Sequence, residues 1–229
     1  MLDKVRGLGK TQLDELATVL LKQCQSEVIL PKGEVDWKIF HEYREHIHST
    51  FSVPQTSITT LTSRVLYGIG YLSRPRRLIG IGTYYGNAIC WLAGAGFSSN
   101  PFRVYEGEKA FALDVDQEAI QGFEQNKDKA HLMIDNMYAD GIVWLKENTE
   151  PIDLLYLDLD VPEGGKEGYS ICFQMAKEQL SSGSLVVAHD YYEEKFADNM
   201  QKFREEVMPY AQKFMALKTD KYGLAVIKI

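Results

Sequence analysis

Three groups of residues have types and spacings that could do chemistry. The first is Gly80-x-Gly82-x-x-x-Gly86, set between an apolar run and a helical one. Glycine lets the backbone turn sharply and approach a ligand closely, and the helix that follows offers free N–H groups. Two readings are open for it, a ligand-cradling turn and a plain tight turn from strand to helix. The spacing departs from the G-x-G-x-x-G of dinucleotide turns and suits a nucleoside-type ligand better than a pyrophosphate. The second is Asp114, at the end of FALDVD and thirty-two residues after Gly82. An acid there can accept both hydroxyls of a ribose lying across the glycine turn. Asp116 fits better as the N-cap of the helix that follows. The third group is Asp158, Asp160, His189 and Asp190, with Lys166 between them in sequence. Two carboxylates and an imidazole could hold a divalent cation. Magnesium prefers oxygen, so His189 turns that expectation towards a softer metal or none. A desolvated Lys166 and a near-neutral His189 are rival general bases, with His189 preferred if no metal binds.

These residues need elements to position them. RRLIGIG, KAFALDVD, HLMIDN, IDLLYLDLD and SLVVAHD are short apolar runs that alternate with helical segments. Alternation of this kind predicts a parallel sheet covered on both faces, an α/β architecture. Asp114, Asp158, Asp160 and Asp190 then fall at strand ends along one edge of that sheet, where such sheets bind ligands. KFMALKT and GLAVIKI, separated by Asp220-Lys221-Tyr222, read as a closing hairpin. Upstream, Leu13, Leu16, Val19 and Leu20 recur at helical spacing after a candidate cap at Thr11. A second helix is predicted from about Val35 to His48, anchored by Trp37, Phe40 and Ile47, and a third from about Ile58 to Leu72. His41, His46 and His48 do not share the spacing of a zinc pair and read as surface histidines. Tyr84, Tyr85 and Trp144 lie near the candidate ligand segments, where core packing would explain them equally well.

Composition narrows the class of partner. The 229 residues carry 25 Lys plus Arg against 32 Asp plus Glu, a formal charge of −7. Phosphate neutralisation needs a basic face, so nucleic acid is not an expected partner. Hydrophobic residues make up 45%, enough for a sizeable core. Cys24, Cys90 and Cys172 stand far apart and read as thiols of a reducing compartment. No apolar run reaches bilayer length and the N-terminus has no apolar h-region, so a cytoplasmic protein without membrane contact is expected.

From residue 51 onward the chain resembles the class I S-adenosylmethionine-dependent methyltransferases, and among them the small-molecule O-methyltransferases of the catechol and caffeoyl-CoA type. LIGIGTYYGNAI stands where that family carries its cofactor loop, often E-x-G-T-Y-x-G, and ALDVD stands where it carries the ribose acid. IDNMYADGIVWL matches the segment that touches adenine, and GLAVIKI matches the antiparallel last strand. The family also has a strand ending D-x-D-K-x-x-Y. Here Asp158-Leu159-Asp160 is followed by an insertion, Val161-Pro162-Glu163-Gly164-Gly165, and then Lys166-Glu167-Gly168-Tyr169. From Lys166 the spacing to Gly183 and His189-Asp190 follows the family without a gap. Three positions depart from it. Gly80 replaces the usual acid, Ala88 replaces a small hydroxyl residue, and His189-Asp190 replaces Asp-Asn. A His-Asp strand end also resembles the macrocin- and cephalosporin-type methyltransferases.

The resemblance implies a doubly wound, Rossmann-like, seven-stranded sheet with an antiparallel last strand, preceded by N-terminal helices. Residues 1–50 would be a helical extension, serving as a lid or a homodimer surface, and residues 51–229 the cofactor-binding domain. It assigns Gly80, Gly82, Thr83, Tyr84, Gly86, Asp114, Val115, Asn136, Met137 and Asp158 to S-adenosylmethionine. It assigns His189, Lys166 and Asp158 to catalysis, and Asp158, His189 and Asp190 to a magnesium or other divalent ion. Phe51, Pro54, Gln55 and Thr56 match the segment that closes over cofactor and acceptor. The implied reaction is methyl transfer to a hydroxyl of a small molecule. N- or C-methylation, a dinucleotide-dependent oxidoreductase and a non-catalytic binding module are the alternatives.

Overall fold

The computed structural model describes residues 7–54 and 58–229. Three helices come first: α1 (Lys10–Ser26), α2 (Trp37–Thr50) and α3 (Thr60–Ser73). Then follow β1 (Arg77–Ile81), α4 (Asn87–Ala93), β2 (Lys109–Asp114), α5 (Gln117–Ala130), β3 (Asp135–Tyr138), α6 (Gly141–Glu147), β4 (Ile152–Leu157) and α7 (Gly168–Ala176). The chain ends with β5 (Leu180–His189), α8 (Ala197–Val207), β6 (Lys213–Leu217) and β7 (Leu224–Lys228). The strands form one seven-stranded sheet in the order β3-β2-β1-β4-β5-β7-β6. Strands β1 to β5 run parallel, and β7 enters antiparallel between β5 and β6.

Side chains of successive strand residues point to opposite faces, and both faces are covered. Leu78, Ala112, Leu154, Tyr156, Val187 and Val226 pack under α1–α5. Ile79, Ile81, Leu113, Leu155, Leu157 and Val186 pack under α6, α7 and α8. Double coverage explains why the strand Ile152–Leu157 is apolar at every position but Asp153 instead of alternating.

The N-terminal helices share the first of these cores. Helix α1 buries Leu13, Ala17, Leu20, Leu21 and Cys24, while Val19 faces outward. Its cap is Gly9, not Thr11: Gln12 Oε1 reaches back to accept the Gly9 N–H at 2.9 Å. Helix α2 is capped by Asp36, whose carboxylate accepts from Lys38 N and Ile39 N. It buries Tyr43 as well as Phe40 and Ile47. The expectation of three surface histidines fails at two positions. His41 Nε2 lies 2.7 Å from Asp14 Oδ2, and His46 Nε2 lies 3.1 Å from the Ala130 carbonyl, tying α2 to α1 and α5. Helix α3 is buried on every side, so even Arg64 lies inside, with Nε 2.7 Å from Asp14 Oδ1.

Two strands differ from their predicted bounds. The third begins at Asp135, because Leu132 and Ile134 are buried in the turn that leaves α5 before the ladder with β2 starts. Strand β5 starts at Leu180, upstream of Gly183, and the register with β4 jumps between Ile152 and Leu154 to absorb the extra residues.

Candidate active site

Strand order reverses between β1 and β4, and the carboxyl ends of β1, β2, β4 and β5 flank that reversal. Open parallel sheets bind ligands outside such a switch point. The glycine turn leaves β1 there. Gly82 has φ +75, and a Cβ on it would stand 2.5 Å from Leu159 Cα, so the turn lies directly against the exit of β4. Gly86 caps α4 with φ +83, where a Cβ would meet the Phe123 ring at 2.1 Å. Gly80 sits within β1, against Ile89 and Thr83. Gly82 and Gly86 are demanded by the protein's own packing, whereas at Gly80 only the ends of the Ile89 and Thr83 side chains stand close, at 2.8 Å.

The turn and the ribose-type acid are joined directly. Tyr84, at φ 48, donates its N–H to Asp114 Oδ2 at 2.7 Å, and Asp116 N–H donates to Asp114 Oδ1 at 3.0 Å. Two backbone donors therefore fix the carboxylate and leave its remaining lone pairs available. Asp116 itself caps α5 through Glu118 N and Ala119 N. Beside Asp114, Val115 is 63% exposed, and Tyr84, Tyr138 and Val143 are further exposed large apolar side chains around these strand ends. Tyr138 is the ladder partner of Asp114.

Other expected contacts are placed differently. Thr83 is buried. Met137 is half-buried and pairs with Leu113. Asn136 turns its amide towards α5, donating to the Ile120 carbonyl at 2.8 Å and to Glu124 at 3.1 Å, so its NH2 is not directed to a ligand. Trp144 packs on Phe111 with ring centroids 5.2 Å apart. Tyr85 hydroxyl donates to Glu118 at 3.3 Å. Gln55 and Thr56 lie outside the described residues. Phe51 packs near Phe123 and is continuous with Ser52, which is held by Asn126. Asn126 was not singled out by its sequence, where nothing distinguishes it from the polar residues of α5.

The acidic group converges. Lys166, 2% exposed, places Nζ 3.0 Å from Asp158 Oδ1, 3.0 Å from Asp190 Oδ2 and 3.2 Å from Asp160 Oδ1. The ammonium also faces the rings of Tyr169 and Phe196 at 5.2 and 5.6 Å. Tyr156 hydroxyl donates to Asp158 Oδ2 at 3.0 Å. His189 is fully buried, with Nδ1 3.3 Å from Asp158 Oδ2 and 3.2 Å from Asp190 Oδ1. Neither approach is aligned as a hydrogen bond, and Nε2 has no partner among the described residues. Asp190 adopts φ +56, an uncommon backbone conformation for a residue with a side chain.

Electrostatics follows this geometry. Burial alone would raise the Asp158 pKa, but His189 and Lys166 overcome it and hold the carboxyl at about 2. Burial would lower Lys166, yet Asp158, Asp190 and Asp160 outweigh it and hold the amine more strongly protonated than a free lysine. The neutral amine that a general base requires is thereby disfavoured. His189 is raised too: burial opposes its charge, and Asp158, Asp190 and Asp220 more than compensate. Its burial puts the imidazole behind the carboxylates rather than in front of them. Asp158 and Asp190, with side chains 19% and 15% exposed, are within reach of a bound molecule, and Asp160 is more open still.

Asp158, His189 and Asp190 each bring a ligand atom within 4.8 Å of the others, so the donor set has the size of a cation site. The two acids also lie 3.0 Å from the Lys166 ammonium. A divalent ion held by these two carboxylates would stand beside a buried positive charge, which does not suit the arrangement.

No protein-family profile matches the sequence, and no curated protein matches it. Solved structures do match in shape. The methyltransferase PaMTH1 of Podospora anserina, bound to SAH, has a TM-score of 0.61 at 15% identity, over 96% of each chain. The O-methyltransferase TomG of Streptomyces achromogenes, involved in tomaymycin synthesis and bound to SAM, has a TM-score of 0.60 at 15% identity, over 93% of this chain and 96% of that one. An O-methyltransferase of Bacillus cereus, in complex with SAH, has a TM-score of 0.59 at 15% identity, over 91% of this chain and 97% of that one. The chain therefore has the Rossmann-like fold of these methyltransferases, with the antiparallel β7 that the sequence leads one to expect. Among the described residues no helix is long and apolar enough to cross a membrane.

Proposed function

We propose that this chain is an S-adenosylmethionine-dependent methyltransferase acting on a hydroxyl of a small molecule. The observation that carries the reading is the Asp114 carboxylate, fixed by the Tyr84 and Asp116 N–H groups beside the switch point, with the acidic group on the neighbouring strand ends. The match in shape to structures holding SAM or SAH supports it.

The residues present fit such a cofactor. Asp114 keeps lone pairs for ribose hydroxyls. Exposed Val115, Tyr84 and Tyr138 offer apolar flanks for a purine, surfaces that otherwise face water at a cost. When bound, S-adenosylmethionine supplies an electrophilic methyl group on a sulfonium. The protein's task is then alignment of the acceptor and removal of its proton. Asp158 and Asp190 accept the hydrogen bond of the acceptor hydroxyl and orient its oxygen lone pair, and the proton passes to Asp190 as the new bond forms. Tyr156 and Lys166 hold Asp158 in place, and Lys166 holds Asp190. His189 acts from behind, as a positioning residue for both acids.

Isothermal titration calorimetry with S-adenosylmethionine and its demethylated product tests the reading. Saturable binding of both is expected. Absence of binding, or preferential binding of a nicotinamide dinucleotide, would sink it.

A further inference from the structure

We propose that the ammonium of Lys166 is the resident cation of the acceptor site, and that this chain holds no divalent metal there. The proposal rests on the methyltransferase reading only for naming the site as the acceptor's. Its own support is geometric. Three carboxylates surround Nζ at 3.0, 3.0 and 3.2 Å, and the Asp158 carbonyl accepts from it at 3.3 Å.

The insertion Val161–Gly165 explains how a lysine comes to occupy that position. Val161 N–H donates to the Gly165 carbonyl at 2.8 Å, and Gly165 N–H donates back to the Val161 carbonyl at 3.0 Å. The extra residues thus close on themselves as a tight turn and hand the chain back to Lys166 beside the strand it left. Gly165, at φ +56, lets that turn rest against Phe196, where a Cβ would come within 2.8 Å of the ring. Phe196 is also one of the two rings facing the ammonium. The lysine is walled in on the side away from the acids.

His189 completes the case. A divalent ion drawn to Asp158 and Asp190 would take imidazole nitrogen as its third protein donor. In the structure Nδ1 faces the two acids without an aligned bond; of the oxygens it faces, Asp158 Oδ2 already accepts from Tyr156, while the other oxygen of each acid, Asp158 Oδ1 and Asp190 Oδ2, serves Lys166. A lysine, unlike a metal ion, cannot bind the acceptor oxygen as a Lewis acid. It can neutralise the carboxylates and hold them together, which leaves alignment of the acceptor to the acids themselves.

Electron paramagnetic resonance of Mn2+ mixed with the wild-type protein is the test, read without cofactor or turnover. The free-ion signal is expected to be undiminished by one equivalent of wild-type chain. In Lys166→Ala the vacated acids should bind Mn2+ roughly tenfold tighter or better, because the repelling charge is gone. Asp190→Asn in that background should abolish the gained binding. One tight Mn2+ per wild-type chain, lost in Asp158→Asn, would overturn the proposal. So would a folded Lys166→Ala that binds no more Mn2+ than wild type. Should Lys166→Ala not fold, the wild-type titration still decides. A failure of cofactor binding in calorimetry would leave this result readable on its own.

Discussion

Asn126 and Ser52 exchange a reciprocal pair of hydrogen bonds across 74 positions of sequence. Ser52 N–H donates to Asn126 Oδ1 at 2.9 Å, and Asn126 Nδ2 donates to the Ser52 carbonyl at 3.0 Å. The same amide donates to the Tyr85 carbonyl at 3.2 Å. One buried side chain on α5 therefore clasps the segment before α3 to the glycine turn. Replacing it breaks three bonds at once.

Asn126→Ala should cost about 2 kcal/mol of stability, since each net hydrogen bond contributes on the order of 1 kcal/mol and one of the bonds is long. Urea denaturation measures this. Cofactor affinity should fall as well, because Tyr85 belongs to the turn that carries Tyr84. An affinity equal to wild type would show that the clasp serves the fold alone.

Asp114→Asn should weaken binding of the demethylated cofactor by roughly 10- to 100-fold, the loss expected when charged hydrogen bonds become neutral ones. Its fold should survive, since an amide oxygen can still accept from Tyr84 or Asp116. Calorimetry beside a melting curve separates the two effects.

Acid should act through Asp158. Its pKa lies at about 2, below the 3.8 of a free aspartate. A lowered carboxyl pKa contributes stability that is complete above the unfolded value and is lost as pH falls through the folded one. For this largely buried group that is about 2 kcal/mol, disappearing between roughly pH 4 and pH 2. Asp158→Asn should flatten the stability curve in that window relative to wild type. His189 works in the opposite direction. Its raised pKa gives stability that is fully present below the unfolded value and declines as pH rises through the folded one. Guanidinium melts across both ranges measure the two limbs.

Gly86→Ala should destabilise by about 2–4 kcal/mol, because the new Cβ meets the Phe123 ring and the backbone is left-handed. Phe123→Leu in the same chain should return part of the loss, by removing the clash but not the strain. No recovery in the double variant would mean that strain dominates.

Much of the fold was legible because periodicity is a local property. The apolar runs of β1, β2, β4 and β5, the Asp116 cap and the closing hairpin each depend on residues within a few positions of one another. Bounds were less so. The third strand starts four residues into its apolar run, at Asp135, because Leu132 belongs to the exit of α5.

The members of the candidate site were also legible: Asp114, Asp158, His189, Asp190 and Lys166 could all be named from strand ends and from the family resemblance. Their division of labour was not. Whether Lys166 is a free base or a buried cation depends on which oxygens surround it, and those oxygens come from β4, its following loop and β5. Whether His189 faces a ligand or stands behind two acids depends on the depth of β5 in the sheet. Asn126 matters only because α5 lies between the glycine turn and the segment before α3. The sequence by itself determined which residues end the strands, since alternation and capping act over a turn or two of chain. Tertiary structure alone decided charge state, reach and partnership, because burial and Coulomb interaction act through distances in space that chain separation does not measure.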